Sequence, residues 1–185
     1  MSNSVSKWFA AFLALLLLYL VPAGEMARRQ DDLSRLVVYQ SVTKFVDSVR
    51  TKGYITPIMY NDFLQELAAT GNMYSVEMEH HHKKYHPEYG DPSDPDTFLN
   101  RYSVVYDAYY QDDVMRYLFP DSHVAKEDDS RRYRLTAGDH FQVSVRSLNR
   151  TPGLLIFDAL TGSNSGGKAA IAFPYGGLVL NEDYV

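Results

Sequence analysis

Residues Trp8 to Val21 (WFAAFLALLLLYLV) carry no charge, and their only polar groups are the Trp8 indole N–H and the Tyr19 hydroxyl. As a helix this run is apolar on every face, so it cannot be the half-buried side of an amphipathic element on a small domain. Extended to Gly24, it reaches the lower end of the roughly 17 to 25 residues that cross a bilayer. Its flanks lengthen it. Lys7 and Trp8 suit one headgroup layer, and Arg28 and Arg29 can snorkel into the other. Residues 1–25 are therefore expected to form a single-pass membrane anchor, with residues 26–185 as one domain outside the bilayer. A cleaved signal peptide is the alternative, because Val21-Pro22-Ala23 offers small residues for a cut.

The remaining chain is long enough to bury a core without staples. That matters because there is no cysteine, which removes disulfides, thiolate zinc sites, iron–sulfur clusters and cysteine nucleophiles. A formal charge of −5 with no basic stripe argues against a nucleic-acid partner. The fifteen tyrosines are scattered, and suit half-buried sheet faces and interfaces more than any one reaction.

Periodicity predicts helices first and strands later, which is an α+β order: a hydrophobic helix continuing into an amphipathic one, packed on a mainly antiparallel sheet. Pro22 and Gly24 mark a possible kink. Over residues 26–52, Val38, Val42, Phe45 and Val49 recur on one helical stripe while Arg35, Lys44, Asp47 and Arg50 stay wet. Gly53 is a stop signal, and Thr56-Pro57 restarts a helix expected to reach Gly71. From Asn72 a strand should place Met73, Ser75, Glu77 and Glu79 on one face and Tyr74, Val76 and Met78 on the other. His80 to Asp96, broken by Pro87, Pro92 and Pro95, reads as a loop. Tyr102–Tyr106, Phe141–Ser147, Leu154–Leu160, Ala169–Phe173 and Leu178–Leu180 read as strands, and Gln111–Phe119 as a short helix.

Four stretches carry chemical interest. Gly162-Ser-Asn-Ser-Gly-Gly-Lys168 has the spacing of a phosphate loop, but Ala169 stands where the magnesium-binding hydroxyl is needed and no helix has room to follow. It reads as a hairpin loop. Glu77, Glu79 and His81 would share one strand face within a cluster that adds His80, His82 and His86, and imidazole with carboxylate suits zinc, nickel or copper. Asp91, Asp94 and Asp96 offer hard oxygens for calcium, although their spacing is not that of an EF-hand. These six residues, Glu77, Glu79, His81, Asp91, Asp94 and Asp96, are the candidate metal ligands. Asp139-His140 reads as a strand entrance. No G-x-S-x-G elbow or recognisable carboxylate pair is present, so no catalytic residue, no cofactor and no enzymatic activity is expected.

The segments VTKFVDSVRTKGYITPIMYNDFLQELAATGNMYSVEMEH (42–80), GDHFQVSVRSLNRTPG (138–153) and AIAFPYGGLVLNEDYV (170–185) resemble the TadE-like minor pilins and pilin-like proteins of tight-adherence pilus clusters in Gram-positive bacteria. The resemblance implies a pilin-like fold and a structural or assembly role in a cell-surface pilus or secretion-like machine. It also implies contact with other pilus or secretion subunits, as a homo- or hetero-oligomer through the N-terminal helix. Ser2 to Lys7 lacks the glycine and glutamate of a prepilin cleavage site, so processing by a prepilin peptidase is not implied. Counting positive charges alone would put the domain in the cytoplasm, since Arg28, Arg29 and Arg35 outnumber Lys7. The short leading tail and the resemblance favour an extracytoplasmic domain on the cell membrane. An anchored or secreted ligand-binding module without catalytic activity is the competing reading.

Overall fold

The computed structural model describes residues 2–120, 125–149, 152–162 and 172–181. Helix α1 (Ser2–Lys52) is continuous through Pro22 and Gly24 and is about 76 Å long at the usual rise per residue. It has two halves. Around Trp8 to Leu18 the side chains project away from the other described residues, with Trp8 79% and Leu18 76% exposed. From Leu20 onward a single stripe turns inward: Leu20, Ala23, Gly24, Ala27 and Asp31 are half-buried, and Ser34, Val38, Ser41, Val42, Phe45, Val46 and Val49 are buried. That is the three- and four-residue spacing of a helix laid against a surface.

The helix ends at Gly53, whose φ of +72° is the left-handed conformation that closes a helix and whose N–H donates to the Val49 carbonyl at 2.8 Å. A Cβ there would lie 2.1 Å from Asn181 Oδ1. Gly53→Ala is therefore expected to destabilise the fold by about 1–3 kcal/mol, from left-handed strain plus displacement of Asn181. A thermal midpoint unchanged from wild type would show that the end of α1 is not held in this way.

Strand β1 (Tyr54–Ile55) pairs with β4 (Tyr133–Arg134) in a two-stranded ribbon. Between β1 and the sheet lies α2 (Pro57–Ala68), which starts where expected: Thr56 Oγ1 accepts from the Met59 N–H at 3.2 Å, with Pro57 at the first helical position. It stops at Ala68, short of Gly71. The main sheet has the order β3-β2-β5-β6, all antiparallel, from β2 (Tyr74–Tyr89), β3 (Phe98–Tyr110), β5 (His140–Ser147) and β6 (Ala172–Leu178). α1 crosses its inner face. Phe45 stacks on Phe63 of α2 at 4.6 Å between ring centroids and meets Phe141 of β5 edge-on. Met78, Val143, Val145 and Leu67 complete that core. The chain is thus α+β, a long N-terminal helix on antiparallel sheet.

Two expectations are overturned. The first is most of the loop from His80 to Asp96, because β2 runs on to Tyr89 and only the segment 90–96 stays outside a strand. β5 accompanies β2 only as far as the His81–His140 pair, whereas β3 follows it to the Tyr89–Phe98 pair. Beyond His81 the two strands form a projecting arm, and among the described residues no strand pairs with the outer edge of either. Pro87 is tolerated there because half of the strand's hydrogen-bonding capacity has no neighbour to satisfy, and the register shifts between Pro87 and Tyr89.

The second concerns Leu154–Leu160, which lies in helix α4 (Pro152–Thr161). A seven-residue run that is apolar except for Asp158 fits strand or helix equally, and this one holds only one β-branched residue, Ile156, and begins after a proline suited to a first helical turn. α4 lies along α1 near Val21 to Asp31. Gly153 permits the approach, since a Cβ would sit 3.1 Å from the Ala27 carbonyl oxygen and 2.3 Å from Asp31 Oδ2, and Arg28 covers the Phe157 ring at 5.4 Å.

The expected helix over Gln111–Phe119 appears as α3 (Gln111–Leu118), and the strand over Phe141–Ser147 as β5. The strand expected at Tyr102–Tyr106 is the middle of the longer β3. Of Ala169–Phe173, the described part belongs to β6, which ends at Leu178, so Leu180 is not in a strand. Residues 163–168 of the glycine-rich segment lie outside the described residues.

Candidate functional site

Even-numbered side chains of β2 face the core, as the alternation requires: Tyr74, Val76, Met78, then His80 and His82. His80 thereby enters the interior, 3% exposed, flanked by Phe141 on β5 and Tyr109 on β3 in the strand register. The Tyr109 ring stacks on it at 5.5 Å. The Tyr133 ring of β4 meets it edge-on at 5.5 Å, and the Tyr133 hydroxyl lies 2.7 Å from His80 Nδ1. On the other side of the imidazole, Nε2 lies 2.9 Å from Asp139 Oδ2.

Asp139, 1% exposed, immediately precedes β5 and is the hub of this cluster. Its carboxylate accepts from the Thr136 N–H at 2.8 Å and the Lys83 N–H at 3.1 Å. It also contacts His82 Nδ1 at 2.9 Å and 3.1 Å through its two oxygens. The backbone is equally fixed: the Asp139 N–H donates to the Thr136 carbonyl at 3.0 Å, and its own carbonyl accepts from the Val179 N–H at 2.8 Å.

The electrostatics follow from this wiring. Burial pushes the His80 pKa down, and it stays below the ordinary histidine value although Asp139 favours the charged ring. Burial pushes Asp139 up, but the donors on Thr136, His80, His82 and Lys83 outweigh it and hold the carboxyl below its usual range. The Tyr133 phenol is raised by burial, with the Tyr109, Asp113 and Asp139 charges adding to it. A protonated tyrosine, a neutral histidine and an ionised aspartate is the consistent assignment. The Tyr133 O–H then donates to His80 Nδ1, and His80 Nε2–H donates to Asp139.

No family model, curated protein or solved structure matches this chain. The chemistry is read from the geometry alone. Among the described residues, His80, His82 and Asp139 are the metal-ligating side chains whose donor atoms all lie within 4.8 Å of one another.

The six ligands expected from sequence fall elsewhere. Glu77, Glu79 and His81 do share one face of β2, and it is the outward one. There His81 Nε2 lies 3.6 Å from Glu79 Oε2 and its ring 6.1 Å from that of His140, its cross-strand partner. Asp91, Asp94 and Asp96 occupy the tip of the arm. Asp91 Oδ1 accepts from the Ser93 N–H at 2.9 Å and Asp94 Oδ1 from the Asp96 N–H at 3.0 Å, the usual work of aspartate in a turn. Sequence reasoning placed His80 and His82 in the histidine cluster without choosing them as ligands, read Asp139 only as a strand entrance, and did not reach Tyr133. The available signal was the i, i+2 spacing of His80 and His82, which puts two imidazoles on one strand face.

Proposed function

We propose that this protein is a structural subunit of a cell-surface pilus or secretion-like assembly, anchored in the cell membrane by α1 with its domain outside the cell, and not a catalyst. The observation that supports this reading most is the division of α1. One helix among the described residues is long and apolar enough to cross a membrane, and none of its most apolar stretch is buried in the rest of the protein. The same helix, without a break, forms the spine of the domain. A helix built in this way can be held by lipid and later packed beside its counterparts, as the pilin resemblance implies.

A second feature fits lateral assembly. Outside the apolar run, α1 exposes Met26, Leu33, Leu36 and Val37, a seven-residue step followed by three and four, on the side away from the domain. That stripe extends the anchor's apolar surface toward the sheet and suits a neighbouring helix packed in parallel.

The chain has no cysteine, so Leu36→Cys introduces a lone thiol. Oxidative or bismaleimide crosslinking in intact membranes is expected to join two copies of the variant through position 36, while Lys84→Cys on the arm does not. Crosslinking equal at both positions, or at neither, would remove the assembly reading. Orientation has its own test: in cells stripped of their wall, added protease is expected to digest the domain. Full protection would place it in the cytoplasm.

A further inference from the structure

We propose that His80, His82 and Asp139 form a binding site for a divalent transition-metal ion of the zinc class at the root of the β2–β3 arm. Two imidazoles and one carboxylate are a donor set that suits zinc, nickel or copper. Their spacing comes close to that of a shared ion. Tetrahedral zinc bonds of about 2.0–2.1 Å place neighbouring ligand atoms about 3.3–3.4 Å apart, and Asp139, now hydrogen-bonded to both rings, lies 2.9 Å from His80 Nε2 and 2.9–3.1 Å from His82 Nδ1. Small outward movements of the two rings admit the ion between atoms that already face one another.

The surroundings are those of a supported metal site. The Thr136 and Lys83 N–H groups aim the Asp139 carboxylate, and Tyr133 does the same for the His80 ring. The proton count closes without any external base. When Nε2 of His80 takes the ion, its proton is carried by Nδ1, and Nδ1–H donates to the Tyr133 oxygen that previously donated to it. His82 ligates through Nδ1 and carries its proton on Nε2. The His82 side chain is 29% exposed, which provides an entry path and leaves room for water to complete the coordination shell.

The site has a mechanical meaning. His80 lies in the part of β2 paired on both sides, whereas His82 is the first residue beyond the last β2–β5 pair. Asp139 belongs to the turn that enters β5. An ion shared by the three ties the free-standing arm to the body of the sheet at the point where the ladder on one side ends.

The test uses the full-length protein in detergent, stripped of metal by chelator and titrated with cobalt(II) and with zinc chloride. One equivalent of cobalt is expected to give the visible absorption of a four- or five-coordinate ion, and zinc to displace it with a Kd tighter than about 10 μM. His82→Ala, which removes a partly exposed ligand, is expected to weaken zinc at least about tenfold. Tyr133→Phe, which keeps the ring and loses only the second partner of His80, is expected to weaken it about tenfold or more. The double variant His81→Ala/His86→Ala keeps wild-type affinity. Absence of binding tighter than about 100 μM, or affinity that is lost with His81 and His86 and kept in His82→Ala, would overturn the proposal. Metal binding here is independent of how the protein assembles, so failure of one reading leaves the other standing.

Discussion

Replacing Asp139 by alanine in the metal-free protein is expected to cost about 3–5 kcal/mol, a large part of the stability of a domain this size. The substitution removes one carboxylate and strands several donors at once. The Thr136 N–H, the Lys83 N–H, His80 Nε2–H and His82 all address it, and each buried donor left without an acceptor costs about 1–3 kcal/mol unless water reaches it. His82 is partly exposed and recovers water; His80, deep against Tyr109 and Phe141, does not. Asp139→Asn keeps one carbonyl oxygen and the side-chain volume, so its cost should be smaller, about 1–2 kcal/mol. Urea unfolding in detergent, followed by the circular dichroism of the sheet, measures both. Equal midpoints for wild type and Asp139→Ala would mean that the cluster contributes nothing to holding β2 against the turn before β5.

The second large effect belongs to the other end of the molecule. Leu13→Arg/Leu16→Arg places two guanidinium groups on one face in the middle of the apolar run, at roughly 2.5–3.5 kcal/mol each for insertion. Neither leucine belongs to the inward stripe, which begins at Leu20. The domain should therefore fold as before while the protein leaves the alkaline-carbonate-resistant membrane fraction. Retention of the double variant in that fraction would show that the run is not what holds the protein in the membrane. Loss of the domain's cooperative melt along with its membrane attachment would show that the apolar half of α1 is part of the domain's core.

Much of the fold was legible because its elements announce themselves locally. Val38, Val42, Phe45 and Val49 needed only helical periodicity, Thr56-Pro57 only cap chemistry, and Phe141 to Ser147 only strict alternation. What escaped depends on neighbours that are remote in the chain. Leu154 to Leu160 is equally apolar as strand or helix, and becomes helix because α1 offers it a surface that Gly153 can approach. β2 continues through His80 to Tyr89 because β3 arrives from beyond the prolines to pair with it; taken alone, those prolines read as a loop. The candidate site was lost by the same error. With His80 to Asp96 read as a loop, the cluster was resolved onto the Glu77, Glu79 and His81 face, and the opposite pair, His80 and His82, was passed over. Asp139 gave no sign of importance beyond standing before a strand, because its partners come from β2 and from the turn it closes.

The unbroken spine has one further consequence. A domain joined to its anchor by a loose linker tumbles freely and must surrender that rotational freedom whenever it docks. Here α4 lies beside α1 just past Pro22 and Gly24, and the inward stripe runs from Leu20 to Val49, so the tilt and azimuth of the domain are set relative to the apolar half of its own helix. On the proposed reading, copies held in one membrane would meet side by side, with their Leu33–Val37 faces at one common height. Even a weak contact per copy would then suffice for a row to form there, where the same contact in dilute solution would leave single molecules.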